Sequence, residues 1–271
     1  MRATVAVVSI AVLPLALAAQ GNPPTRDWSF TLGAGALALP RYAGSDEYRV
    51  FPMPIALVSY RDRVFLGPTS GGLGGGVGAR LFRARHLSLT AEVGMMDGRP
   101  ADRADPLAGT DDRDVLATLG AGLAYALGPV QASVSAAHGL NDESGWLGTA
   151  RAGYSRPLNR RVMASVEVGA TFADARQLRR DFGISGVEAA RRQGMIDAGD
   201  PRLRPNDGRA FAPGGGVRDA GVSGSLMYFL SPRLALMGLG GMNRLSAEVA
   251  ASPVVRRRQQ AWGGLSLMWR R

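Results

Sequence analysis

The chain has 271 residues, a formal net charge of +10 and no cysteine, and its long basic side chains are all arginine because lysine is absent. The missing cysteines exclude disulfide staples and thiolate chemistry. A basic excess points first to nucleic acid, but these arginines are scattered through turns, loops and the tail rather than gathered on one helix. A membrane rim facing anionic headgroups or lipopolysaccharide phosphates accounts for them, so the expected partners are outer-membrane lipid and lipopolysaccharide, not nucleic acid.

Met1 and Arg2 lead into an apolar run that ends at Leu17, followed by Ala18, Ala19 and Gln20. A basic head, an apolar middle and a small-residue cleavage site predict a secretory signal peptide over residues 1–19, with a single mature domain over 20–271. The apolar run is shorter than the ~20 residues of a spanning helix.

Downstream, side chains alternate with a period of two, the signature of a strand with one apolar and one polar or small face. The first such segment, residues 28–38, places Trp28, Phe30, Leu32, Ala34, Ala36 and Ala38 on one face. Predicted strands follow at 48–59, from Val64, at 75–82 and at 87–95. In the last of these Leu87, Leu89, Ala91, Val93 and Met95 oppose Ser88, Thr90, Glu92 and Gly94. The least distinct boundary is the glycine-rich stretch 68–74, because fusing its two flanks would leave eleven strands instead of twelve.

Further strands are predicted at 115–127, 130–136, 146–154 and 162–172, then at 222–229, 234–242 and 261–269. Tight turns and longer loops come strictly in turn between them, and the longest connection is 173–218. Ser185 is placed to cap a helix running to Gln193 inside it, where alanines, Glu188 and Arg191 favour that conformation. The fold class is therefore all-β: a transmembrane antiparallel up-and-down barrel of about 12 strands, with one long extracellular loop carrying a short helix.

A soluble sandwich or lipocalin-like barrel also alternates, but its outer face would be rich in charge. Here the face opposite the apolar one is mostly Gly, Ser and Thr with an occasional Glu167 or Arg151, which suits a narrow polar lumen. Trp28, Tyr48, Tyr60, Tyr125, Tyr154, Phe172, Tyr228 and Trp269 lie near strand ends, as an interfacial girdle requires.

No catalytic, cofactor-binding or metal-ligating set is expected. His86 falls in a tight turn and His138 at the start of a long loop, at opposite ends of the barrel, so they cannot share a site. The run Gly71 to Gly76 lacks the Gly-Lys-Ser/Thr ending of a phosphate loop. Asp102, Asp105, Asp111 and Asp112, like Ser45, Asp46 and Glu47, read as solvated loop residues rather than a cation loop.

The segment Pro40-Arg41-Tyr42-Ala43-Gly44-Ser45-Asp46-Glu47-Tyr48-Arg49-Val50-Phe51-Pro52 resembles the P-x-Y-x-G-S-x-x-Y-R-x-x-P signature of the MipA/OmpV family of outer-membrane proteins. Arg63 to Pro68 is similar to that family's R-F-F-L-S-P strand. Asp181 to Ser185 with Glu188, Ala189 and Ala190 resembles its Y-F-G-V-S-x-x-Q-A loop, although Asp181 stands where the family has an aromatic. Arg244 and Leu245 through Val255 are similar to its R-L-x-x-D-A-A-D-S-P-L-V loop, with Glu248 and Ala250 a loose fit. The chain also ends on Arg270 and Arg271, past its last aromatic, Trp269, where barrels of this class commonly end in an aromatic.

The resemblance implies a non-enzymatic outer-membrane scaffold, an adaptor between a lytic transglycosylase of the MltA type and a penicillin-binding protein. It carries no catalytic residues and no cofactor. The alternative is a small-solute or ion pore lined by Glu92, Glu167, Arg151 and glycines. A barrel hydrolase at the rim is disfavoured because His138 is the sole histidine on the outer side.

Overall fold

Alternation of apolar and small side chains gives each segment one face for lipid, and closing the sheet leaves no unpaired edge in a medium without water. A computed structural model describes residues 27–70, 72–141 and 143–271, the side chains of 72–74 excepted. The expected leader, 1–19, lies outside the described residues.

Twelve strands form the wall: β1 (Trp28–Pro40), β2 (Tyr48–Tyr60), β3 (Val64–Thr69), β4 (Gly72–Arg83), β5 (Leu87–Met96), β6 (Leu116–Leu127), β7 (Val130–Gly139), β8 (Trp146–Pro157), β9 (Val162–Ala173), β10 (Gly216–Phe229), β11 (Leu234–Leu245) and β12 (Gln259–Arg270). Each pairs antiparallel with its neighbours in sequence, and β1 closes on β12 from Thr31 opposite Arg270 to Ala38 opposite Gly263. The uncertain glycine-rich boundary resolves as a β3–β4 hairpin, so the count is even. It begins three residues earlier than expected, at Gly72, and Pro68 lies inside β3. At position 78 a Cβ would clash with the tip of the Phe65 ring from the paired strand, so the glycine makes room for that ring.

The outward face is apolar, as the period of two predicts. Leu89, Val93, Leu119, Leu123, Val134, Val166, Val168, Val222, Leu226 and Leu265 are all exposed. Such a belt is stable facing lipid and unstable facing water. Exposed aromatics edge it: Trp28, Tyr125, Tyr154, Tyr228 and Trp269 at the short-turn end, and Tyr48, Trp146 and Phe172 at the long-loop end.

The inward face departs from the expected polar lumen, which covers only part of the wall. Across β5 to β10 it is polar and hydrogen-bonded: Ser135 to Thr149 (2.7 Å), Ser165 to Ser225 (2.7 Å), and Arg151 NH1 donating to Glu167 Oε1 (3.1 Å). Across β11, β12, β1 and β2 it is apolar, with Met237, Leu239, Trp262, Met268, Leu37, Leu39 and Ile55 buried against one another. The cause is visible in β2, whose inward Phe51, Met53, Ile55 and Leu57 oppose outward Val50, Pro52, Pro54 and Ala56. Both faces are apolar there, so periodicity alone cannot say which side is wet.

The long-loop end is roofed. The connection 174–215 holds two helices, α1 (Ala175–Phe182) and α2 (Gly186–Asp197), and the loop 246–258 holds α3 (Ala247–Ala250). Short helical turns at Ala101–Arg103 and Asp105–Leu107 order the loop 97–115. The expected helix from Ser185 is α2, and its start is a capping box: Glu188 N donates to Ser185 Oγ (3.2 Å) and Ser185 N to Glu188 Oε2 (2.7 Å). Helix α1 was not expected. Asp174 caps it by accepting from Gln177 N (2.8 Å), and Ala175, Leu178 and Phe182 share one face at helical spacing, but over eight arginine-rich residues that pattern is too short to stand out from a loop.

Candidate functional site

Two apolar clusters build the cap from the strand ends upward. Met96, Leu116, Leu147, Ala173 and Leu245 at the mouth take Leu178 and Phe182 of α1 and Val249 of α3. Above them Tyr42, Ala104, Leu107, Ile184, Ala189 and Val254 join four different loops. Burying each large side chain contributes about 1.5–3 kcal/mol, so the cap is a small core in its own right.

Polar groups lock these loops in register. Tyr42 Oη donates to Val254 O (2.6 Å), Gly44 N to Gln260 Oε1 (2.9 Å) and Gln260 Nε2 to Ser45 O (2.8 Å). Gly44 has φ of 101°, a conformation costly for any residue with a Cβ, and its carbonyl accepts from the backbone N–H groups of Arg256 and Arg257. Ser252 Oγ donates to Phe182 O (2.6 Å). Arg256 forms an ion pair with Asp207. Burial raises the Tyr42 hydroxyl above its usual range, against the opposing pull of Arg256.

Glu188, fully buried, joins α2 to the loop 97–115: its Oε1 accepts from Asp111 N (2.8 Å) and Arg113 NH2 (3.2 Å). Burial pushes its carboxyl up, but the backbone donors and Arg113 outweigh that and hold it below the usual glutamate value. Asp207 is likewise lowered, burial being overcome by Arg256, the Arg204 backbone and Arg192. A folded-state value below the unfolded one gives stability that is present above the unfolded value, about 4, and lost as pH falls through the folded one. Amide exchange of residues 184–192, corrected for intrinsic rates, is therefore expected to be steady from pH 8 to 5 and to lose protection below about pH 4. Equal protection at pH 3 would show that these carboxylates do not hold the cap.

Below the cap, Arg151, Glu167, Thr171, Asp219, Ser223, Asn243 and Trp262 surround a polar cavity of about 40 Å³, and another of about 20 Å³ lies towards the short-turn end near Thr31 and Phe229. These spaces suit a few water molecules. Glu92, named with Glu167 as lumen-lining, lies on the inward face of β5 and accepts from Ser70 N (2.5 Å) beneath the β3–β4 hairpin.

The remaining sequence candidates are dispersed. His86 Nδ1 contacts Ala126 O (3.0 Å) at the short-turn end, while His138 packs edge-on against Trp146 (5.0 Å between ring centres) at the other. Asp111 pairs with Arg191 (2.8 Å), and Asp112 Oδ1 accepts from Ala101 N (2.7 Å). Asp102 and Asp105 lie in the short helical turns, and Ser45 and Glu47 close their own turn. Among the described residues no group of three His, Cys, Asp or Glu side chains is close enough to hold a metal ion. What the sequence did not signal is the burial of Arg99, Arg103, Arg180 and Arg192 in the cap, because an arginine- and aspartate-rich loop has the composition of a solvated one.

Among solved structures the chain is similar to the outer-membrane expressed OmpT of Vibrio cholerae, at 6% identity over 93% of this chain and 99% of that one, with a TM-score of 0.40. It is also similar to the NanC porin, at 4% identity over 89% and 98% (TM-score 0.44), and to Neisserial surface protein A, at 9% identity over 90% and 96% (TM-score 0.26). A comparison with curated proteins finds no matching relative. The protein-family model described as MltA-interacting protein MipA matches residues 32–271. That span contains the whole barrel from early β1 onward and every loop of the cap, including the Tyr42, Gly44, Ser185, Glu188 and Ser252 contacts. An outer-membrane β-barrel with a lipid-facing apolar belt and a roofed mouth, the chain belongs to the MltA-interacting protein MipA family.

Proposed function

We propose that the protein is a non-enzymatic adaptor in the outer membrane, exported by the leader at 1–19, whose short-turn end faces the periplasm and recruits peptidoglycan-remodelling enzymes. The partners are a lytic transglycosylase of the MltA type, after which the family is named, and a penicillin-binding protein. One observation carries this reading: the short-turn rim is a basic face. Arg61 and Arg63, Arg83 and Arg85, Arg156, Arg160 and Arg161, Arg233, Arg270 and Arg271 are all exposed there. Asp27 pairs with Arg61 (3.0 Å), and Asp62 pairs with Arg80 and Arg83. The other rim arginines have no carboxylate partner among the described residues, so the face attracts an acidic partner surface and steers its approach.

The test is capture of murein enzymes from solubilised membranes by the tagged protein. Wild type is expected to retain them, with weaker capture at high salt, and the triple change Arg156→Gln, Arg160→Gln and Arg161→Gln is expected to lose most of the yield while the barrel stays folded. If wild type retains no murein enzyme, the adaptor role falls and the barrel stands.

The pore reading draws on the polar half of the lumen and its Arg151–Glu167 pair. Against it stands the roof of packed loops over the mouth. Planar-bilayer recording is expected to be silent, and steady single-channel conductance would favour the pore over the adaptor.

A further inference from the structure

The cap contains a buried positive charge that no carboxylate among the described residues hydrogen-bonds, Asp181 and Glu188 acting on it only through space. Arg99 lies just past β5, where its backbone forms an antiparallel bridge with Arg113 (N–H to O distances of 2.7 and 3.1 Å). The residue is 7% exposed, and none of its Nε, NH1 and NH2 atoms has a hydrogen-bond partner among the described residues. The bridge sets two guanidinium-bearing residues opposite one another, an unfavourable arrangement for like charges. The Nε of Arg113 is also buried and unpartnered.

The carboxylates in its neighbourhood are engaged elsewhere. Glu188 Oε1 serves Arg113 and Asp111 N, and Oε2 serves Ser185 N. Asp181 Oδ1 accepts from Gln177 Nε2 (2.9 Å) and Arg180 NH1 (3.4 Å). Desolvation, together with the nearby charge of Arg113, outweighs the pull of Asp181 and Glu188 and lowers the Arg99 pKa to about 10, which leaves the group charged at neutral pH. An uncompensated buried charge is strongly destabilising. A guanidinium is built to bind one class of ligand with two parallel bonds, an oxyanion of carboxylate or phosphate geometry.

We propose that the cap is an oxyanion site of phosphate class, in which the Arg99 guanidinium and the Arg113 Nε–H hold one phosphate group, so that anion binding and cap closure are a single event. The shared chemistry fits inorganic phosphate and the phosphate of a lipopolysaccharide or lipid headgroup alike. This inference is independent of the adaptor role, which concerns the opposite end of the barrel.

The experiment measures amide hydrogen exchange of residues 181–192 in the full-length barrel, refolded in detergent without lipid, with inorganic phosphate titrated against chloride at constant ionic strength. At ten times its dissociation constant, phosphate is expected to slow exchange of the buried cap amides about tenfold, and Arg99→Gln is expected to abolish the effect. Arg99→Met adds a reversal of order that a purely structural arginine would not produce. Without phosphate the variant's cap exchanges more slowly than wild type, because an uncompensated charge has gone; with saturating phosphate wild type is the more protected. Phosphorus analysis of protein extracted from native membranes separates the sources. Lipid-linked phosphorus at one equivalent, lost in Arg99→Met, identifies a headgroup, whereas uptake of inorganic phosphate alone identifies a free ion. If wild type gains no protection from phosphate and carries no phosphorus, or if Arg99→Gln responds as wild type does, the site does not exist.

Discussion

Arg192→Met is expected to release the cap while leaving the barrel intact. Arg192 is fully buried, and its guanidinium reaches two different connections: Nε donates to Asp207 O (2.8 Å), and NH1 donates to Pro106 O (3.0 Å) and Ala108 O (2.7 Å). Its NH2 lies 3.8 Å from Asp207 Oδ2. Methionine fills much of the stem volume but returns none of these bonds, so three carbonyls lose their donor in a site closed to water. The cost is on the order of 3–5 kcal/mol, the range for removing one partner from a buried charged network. A cap of this size has little stability to spare, so loops 97–115 and 174–215 are expected to become sensitive to protease together. The detergent-resistant migration of the barrel is expected to persist, because the hydrogen bonds of Arg192 go to loop carbonyls and not to strands. A cap that stays resistant in this variant would mean that the apolar clusters around Leu178 and Val254 suffice without it.

Val168→Arg is expected to destabilise the whole barrel. Val168 lies mid-strand on β9, points outward with 54% exposure, and faces Ala152 and Val222 across the two neighbouring ladders. In lipid an arginine there costs about 2–4 kcal/mol, falling to about 0–1 near the interface. Leu158→Arg, in the β8–β9 turn beside Arg160 and Arg161, is the matched control: its side chain is as exposed (57%) but lies at the rim. Equilibrium unfolding from lipid vesicles should separate the two by at least about 2 kcal/mol. Equal effects would mean that the exposed apolar belt does not face hydrocarbon.

The barrel wall was legible because its signal is local. In β5 the period of two needs only adjacent residues, and a strand that must face lipid on one side cannot lose that alternation without losing its place. The β3–β4 hairpin was less distinct, since glycine carries no face preference and Gly72 and Gly75 read equally well as strand or break. The two halves of the lumen were not legible, because β2 is apolar on both sides and its inward direction follows only from pairing with β1 at Leu37 and Leu39. Ser185 and Glu188 announced α2, as a helix cap is a pattern within four consecutive residues, whereas α1 is held by Leu178 and Phe182 packing onto strand ends that lie far away in sequence.

The cap was the least readable part, for a physical reason. The burial of Arg99 and Arg192 arises where loops from separate regions of the chain meet, and no window along the sequence contains that meeting. The family motifs mark it indirectly. Tyr42, Gly44, Ser185, Glu188 and Ser252, which carry the resemblance, are contact residues of the cap rather than of the wall. The loop parts of the motif set therefore describe how the mouth is closed, while Tyr48 to Pro52 and Val64 to Pro68 lie in the wall.

The closed, lipid-spanning barrel is tested most directly by electrophoretic mobility of the mature protein extracted from outer membranes in mild detergent, unboiled against boiled. A faster-running unboiled band that shifts to the full-length position on heating is expected, because a closed sheet with no free edge resists the denaturing detergent until it is heated. A single position with and without boiling, together with recovery of the protein in the soluble periplasmic fraction, would contradict the membrane barrel, and with it the adaptor and pore readings alike.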